Sequence, residues 1–142
     1  MDYSYNICIT KMKKVVKCMM YIQIDFNSEE AIYMQLRNQI ILGIATSRFQ
    51  EGQSLPSVRQ LADEIGINMH TVNKAYNVLR REGILKIDRR HGAVVAIDID
   101  KIRAVQDMKE ELKVIIAKGR CKNISRKEVY ALIDELYDSY EI

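Results

Sequence analysis

Little in this sequence supplies covalent or metal chemistry. Of its 142 residues only two are histidine, His70 and His91, and three are cysteine, Cys8, Cys18 and Cys121. An odd number of cysteines without metal-ligand spacing forms neither a disulfide framework nor a zinc centre, and free thiols of this kind fit a reducing cytoplasm. Nucleophile motifs and phosphate-cradling glycine loops are also missing, so no enzyme is expected and no catalytic residue, metal ligand or cofactor is assigned. No apolar run reaches the length that spans a bilayer, so no membrane partner is expected. A chain this short makes one or two small domains, with no room for a large catalytic core.

Net charge is also small, at +3, and its placement is more informative than its size. Residues 1–20 carry four Lys against one acid, residues 21–97 nine Lys/Arg against eight acids, and residues 98–142 nine against ten. The overall excess therefore sits in the N-terminal tail. A local cluster matters more: between His70 and His91 lie Lys74, Arg80, Arg81, Lys86, Arg89 and Arg90, against only Glu82 and Asp88. Such clustering is the electrostatic footprint of a nucleic-acid-binding face.

The stretch from Leu55 to Val95 organises the rest. Ser57 with Gln60 three residues on is a capping-box pattern, and Val58, Leu61, Ala62 and Ile65 follow at helical spacing before Gly66. Asn68 is a good N-cap for a second helix with Val72, Ala75, Tyr76 and Leu79 on its apolar side, ended by Gly83. Ile84, Leu85 and Ile87, then Val94, Val95 and Ile97, read as paired strands joined by Arg89, Arg90, His91 and Gly92. Helix, turn, helix and hairpin make a winged helix-turn-helix, whose second helix suits a DNA major groove. Between its apolar positions stand Asn68, Met69, His70, Thr71, Asn73, Lys74, Asn77 and Arg80, mostly amides, a hydroxyl and cations suited to base edges and phosphates. A solvated polar face is the plain alternative for such a helix taken alone.

The same stretch resembles the N-terminal domain of GntR-type bacterial transcription regulators. The resemblance rests on Leu55, Pro56, Ser57, Arg59, Leu61, Ala62, Gly66, Thr71, Val72, Ala75, Tyr76, Leu79, Gly83 and Leu85, and extends upstream through Tyr33, Gln35, Leu36, Ile40 and Ile44, so that it covers roughly residues 30 to 97. It implies that Arg59 contacts a phosphate or a base, and that Asn68, Met69, His70, Thr71 and Asn73 occupy DNA-contacting positions. The family more often has Ser or Thr at position 68 and Arg at 69. Met69 cannot hydrogen-bond guanine, so it is expected to read a thymine methyl or nothing. Lys74 and Arg80 are expected on phosphates or else in solvent. In the wing, the usual Gly-x-Gly-x-Phe-Val becomes Arg90-His91-Gly92-Ala93-Val94-Val95; Gly92 still makes the turn, and Arg90 adds charge suited to a phosphate or minor-groove contact. Glu51-Gly52 stands where the family often has Pro-Gly.

Outside this core the text divides. Residues 1–20 have no clear periodicity and no secretory-signal pattern. They read as an extension that is either disordered or not native, with the natural start at Met19 or Met20; the rival reading is a basic arm on DNA. Tyr21–Phe26 alternates as a short strand would. Ser28 is placed to cap a helix over residues 29–46 with Ile32, Leu36, Ile40 and Ile44 on one side, while Tyr33 and Gln35 are assigned to packing and orientation. Residues 21–97 thus form the DNA-binding domain. In residues 98–142, Asp98 and Asp100 precede a helix from Ile102 to about Lys118 carrying Val105, Met108, Leu112, Ile115 and Ile116, with Gly119 as its stop. Ser125 and Glu128 then form a second capping box before a helix carrying Val129, Leu132, Ile133, Leu136, Tyr137 and Tyr140.

The predicted fold class is α+β, mainly α: a winged helix-turn-helix followed by a two-helix dimerisation hairpin. A hairpin of this size cannot enclose its own core, so Val105, Met108, Leu112, Ile115, Val129, Leu132, Ile133, Leu136 and Tyr140 are expected to meet a second copy of the chain. This short C-terminal region resembles the YtrA-type branch of the GntR regulators, whose members commonly act as repressors beside transporter genes. The expected function is a dimeric, sequence-specific repressor binding double-stranded DNA at a palindrome. Any small-molecule effector is expected at the dimer interface. The competing class is a winged helix used as a protein-interaction module.

Overall fold

A computed structural model of the chain describes residues 22–140. The expectations for residues 1–20 lie outside the described residues. The elements are α1 (Ile32–Ala45), α2 (Val58–Ile65), α3 (Met69–Arg81), β1 (Leu85–Asp88), β2 (Gly92–Val95), α4 (Lys101–Cys121) and α5 (Arg126–Tyr140). Among the described residues, no helix is long and apolar enough to cross a membrane.

One core serves α1 to β2. Leu36 and Ile40 from α1, Leu61 and Ala62 from α2, Val72, Ala75, Tyr76 and Leu79 from α3, and Leu85, Ala93 and Val95 from the hairpin are all buried together. The i, i+3, i+4, i+7 spacing of the α3 residues places them on one stripe, so α3 lies against α1, α2 and β1 and leaves its other side open. Gly43 allows the turn that follows α1: a Cβ there would overlap the Phe49 ring, which folds back over the helix into the core.

Two boundaries upstream of this core differ from the sequence expectation. Tyr21–Phe26 was expected as a strand, yet residues 22–25 have no strand partner among the described residues. Two glutamine side chains one turn apart on α1 substitute for one. Gln39 accepts from the Gln23 N–H at 2.8 Å and donates to the Gln23 carbonyl; Gln35 does the same for Asp25, at 2.9 Å each way. Gln35, the buried polar residue of the core, also donates to the Glu30 carbonyl at 2.9 Å, so both polar ends of its amide are satisfied. The second difference is at Ser28, whose hydroxyl accepts from the Glu30 N–H at 3.1 Å in a local turn. This turn competes with capping, and α1 begins only at Ile32.

The hairpin pairs Leu85 with Val95 through to Asp88 with Gly92, antiparallel, and Ala96 prolongs the pairing by donating to the Ile84 carbonyl. Residues 52–55 lie along the other edge of β2: Gly52 donates to Val95, Val95 to Gln53, and Leu55 to Ala93, at 2.7, 2.9 and 2.8 Å. The wing is thereby tied to the loop that leads into α2.

Beyond the hairpin the chain continues as two helices with no buried residue in either. Asp100 caps α4 by accepting from the Arg103 N–H at 3.1 Å. Gly119, expected to end this helix, lies inside it, and α4 runs on to Cys121. The reversal is made instead by Asn123 in the left-handed region (φ 59°), a conformation Asn tolerates better than most residues. The capping box of α5 forms as the spacing predicts: Glu128 N–H donates to the Ser125 hydroxyl at 3.3 Å, and the Glu128 carboxylate accepts from Ser125 N–H at 2.7 Å. The Ser125 hydroxyl, which donates to that carboxylate at 2.7 Å, and then the Ser125 N–H hold Glu128 below the usual carboxylate range. Most apolar residues of α4 and α5 thus remain facing solvent within one chain.

Candidate nucleic-acid interface

The site is built from three pieces held by the same core. In α2, Ser57 accepts from Gln60 N–H at 3.2 Å while the Gln60 side chain accepts from Ser57 N–H at 3.1 Å, closing the predicted capping box. Gly66, left-handed at φ 77°, turns the chain sharply into α3. The Tyr76 hydroxyl donates to the Pro56 carbonyl at 2.8 Å. That bond pins the middle of α3 to a residue two positions before α2 and so helps set the angle between the two helices.

On this frame the N-terminal half of α3 presents Asn68, Met69, His70, Asn73 and Lys74 to solvent, with Thr71 half-buried beside them. Asn68 spends its side-chain carbonyl on capping, accepting from His70 N–H at 2.8 Å. Its Nδ2 amide hydrogens stay uncommitted, so this residue can donate to a ligand. Met69 is 47% exposed at the first helical position. An apolar side chain left that open at a helix N-terminus suits contact with another apolar group, such as a thymine methyl.

Arg59 is exposed on α2, and no ion pair joins it to Asp63 or to any other acid among the described residues. Its guanidinium fork is therefore available. Lys74 is different. Its Nζ lies 3.9 Å from the centre of the Tyr33 ring on α1, a cation–π contact that holds the ammonium group at the α1–α3 junction. Arg80 is exposed three helical turns further along α3, roughly 16 Å from Met69 by the helical rise. It lines a separate polar cleft of about 300 Å³ with Arg81, Asp98, Arg103 and Asp107. Arg80 is thus not brought together with the residues at the N-terminal end of α3. The neighbouring Glu82 pairs with Arg37 of α1, whose Nε donates to it at 2.9 Å; this bond, ahead of the opposing effect of burial, raises the Arg37 pKa.

The wing tip is Arg89, Arg90 and His91, closed by Gly92 at φ 70°, a left-handed position that favours glycine in three-residue hairpin loops. All three tip residues are exposed. The carboxylate of Asp88 organises them. Its Oδ1 accepts from Arg90 N–H at 2.7 Å and from His91 N–H at 2.9 Å, and lies 3.0 Å from His91 Nδ1. These bonds, the Arg90 one foremost, hold Asp88 below the usual carboxylate range.

Sequence reading alone misses Asp88 and the contact that Tyr33 makes. An Asp immediately before a hairpin tip is a recognisable turn signal. The Tyr33–Lys74 pairing has no such local signal. Of the residues expected to meet a second copy, Val105, Met108, Ile115, Leu132 and Leu136 are more than half exposed, Ile133 and Tyr140 somewhat less, and Leu112 and Val129 are partly covered. Among the described residues, no group of His, Cys, Asp or Glu is placed to hold a metal ion.

Comparison with known proteins agrees with this geometry. Residues 28–95 match the model of the bacterial regulatory proteins of the gntR family. The HTH-type transcriptional repressor YtrA of Bacillus subtilis is 33% identical over 118 residues, covering 81% of this chain and 91% of that protein. Among solved structures, YtrA from Sulfolobus acidocaldarius, a GntR-family transcription factor, superposes with a TM-score of 0.60 at 38% identity, over 70% of this chain and 97% of that one. A transcriptional antiterminator from Listeria monocytogenes EGD-e superposes with a TM-score of 0.74 at 27% identity, over 83% and 90% of the two chains. With its winged helix-turn-helix and two trailing helices, the chain belongs to the GntR family of bacterial regulatory proteins, is of the YtrA type, and is a DNA-binding transcriptional regulator rather than an enzyme.

Proposed function

We propose that this regulator is a cytoplasmic homodimer that represses transcription by reading a two-fold symmetric operator in double-stranded DNA. The observation that carries the proposal is an open surface whose donors have no partner among the described residues: Arg59 without an ion pair, Asn68 with uncommitted amide hydrogens, and His70, Thr71 and Asn73 around the start of α3. In this reading, residues 21–97 bind DNA. The N-terminal end of α3 enters the major groove, Met69 meets a thymine methyl, and Arg59, Lys74 and Arg80 neutralise phosphates. Arg90, His91 and Gly92 track the backbone beside the groove. Residues 98–142 pair with their counterparts through Val105, Met108, Leu112, Ile115, Val129, Leu132, Ile133, Leu136 and Tyr140. Repression is inferred from the printed role of the Bacillus subtilis relative. A small-molecule effector, where one acts, would sit between the two subunits and change the separation of their recognition helices.

Salt dependence tests the proposal. Fluorescence anisotropy is measured with the DNA upstream of the protein's own gene and with a scrambled duplex. With at least six phosphate contacts per dimer, affinity is expected to fall about a thousandfold between 50 and 200 mM salt. The upstream fragment should be preferred at every salt concentration. Absence of binding to any duplex at low salt would overturn the DNA-reading function and favour a protein-interaction module.

A further inference from the structure

At the tip of the wing, geometry assigns one residue a specific role. His91 stands between the two positions where glycines are usual, and its imidazole is not free to turn: Nδ1 lies 3.0 Å from the Asp88 carboxylate while the side chain remains 67% exposed. A ring nitrogen this close to a carboxylate oxygen must carry the proton, since two lone pairs would otherwise face each other. In neutral His91 the remaining nitrogen, Nε2, is consequently an acceptor, and a phosphate oxygen is repelled by it. Protonation adds a donor at Nε2 and a positive charge, and leaves the bond to Asp88 in place.

Charged groups of both signs surround the ring. The shallow groove beside His91 is lined by Lys86 and Asp88 from β1, Gly52 and Ser54 from the preceding loop, and Val94 and Ala96 along β2. Asp88 is the acid on these walls and Lys86 the cation; Arg89 and Arg90 flank His91 along the tip. The carboxylate is in direct contact with the ring, and its backbone hydrogen bonds keep it ionised through the range in which histidine titrates.

We propose that Asp88 is the positioning residue of the wing, holding the His91 imidazole so that only its protonated form donates to a DNA backbone phosphate, and that DNA binding therefore takes up a proton at each wing. The proposal rests on the DNA-reading function above and adds to it a pH dependence seated at one residue pair. Because the contact is to phosphate, it does not require the operator.

The experiment uses the full chain and a mixed-sequence duplex at low salt, with anisotropy at pH 7.5 and pH 5.5. Wild-type affinity is expected to rise about a hundredfold on acidification, the size of one charge-assisted hydrogen bond at each of the two wings. His91→Gln should lose most of that ratio. Asp88→Asn retains an acceptor for the two backbone N–H groups but not the charge, so its rise in affinity should move to lower pH. A wild-type pH ratio in His91→Gln, or an unmoved profile in Asp88→Asn, overturns the proposal. Failure of the wild type to bind the duplex at either pH overturns the DNA-reading function instead, so the two failures are distinguishable.

Discussion

Replacing Arg59 by Ala is expected to lower operator affinity on the order of a hundredfold, from a loss of about 1–3 kcal/mol at each of two half-sites. The melting temperature should hardly move. Arg59 is exposed and forms no ion pair among the described residues, and Ala is at least as good a helix former as Arg. A surface change of this kind is worth within about 0.5 kcal/mol of stability. Anisotropy beside a thermal melt separates the two quantities. Arg59→Lys refines the result: it should restore much of the affinity where the contact is to a phosphate, and little where the guanidinium forks onto guanine, since Lys cannot reproduce that planar pair of donors. Unchanged affinity in Arg59→Ala would remove α2 from the interface.

The second large effect concerns assembly. Ile115 and Leu136 are 61% and 55% exposed in a single chain, and neither supports the winged-helix core. Substituting both with Asp should leave the fold intact. It should also convert the proposed dimer to a monomer at micromolar concentration, as read by sedimentation velocity. Two-fold symmetry places each substitution in the interface twice, and an unpaired buried charge costs several kcal/mol. Operator affinity should fall by on the order of a thousandfold, because a monomer engages one half-site and loses the advantage of a linked second one. A double variant that remains dimeric would place the interface elsewhere.

The parts of the molecule legible from sequence are those specified by residues close together in the chain. Ser57 with Gln60, Asn68 at the start of α3, and Ser125 with Glu128 each act within three residues, and all three caps form. The apolar stripe of α3 is equally local, and it determines which side of that helix is left open. The misreadings share a different cause. Residues 22–25 alternate like a strand, but their partners are the amides of Gln35 and Gln39, well along the chain on a helix. Ser28 has two local uses for its hydroxyl, a turn and a cap, and spacing does not choose between them. Gly119 could stop α4, but Asn123 makes the reversal and the glycine is carried inside the helix.

The site divides in the same way. Arg59 and the exposed face of α3 follow from motif and periodicity. The restraint of Lys74 by Tyr33 depends on how α1 crosses α3. Arg80 lies on the expected helix yet at its far end, beside a cleft shared with the start of α4. Asp88 was hidden in the sequence as one more strand residue; its role depends on the tip folding back over its carboxylate.

The central claim is that two copies of this chain present paired recognition helices to one operator. Hydroxyl-radical footprinting of the DNA upstream of its gene tests it most directly. The account predicts two protected half-sites on one face of the duplex, related by a dyad and centred about one helical turn apart, with protection lost from both in the Ile115→Asp, Leu136→Asp double variant. A single protected half-site that survives in that variant would contradict it.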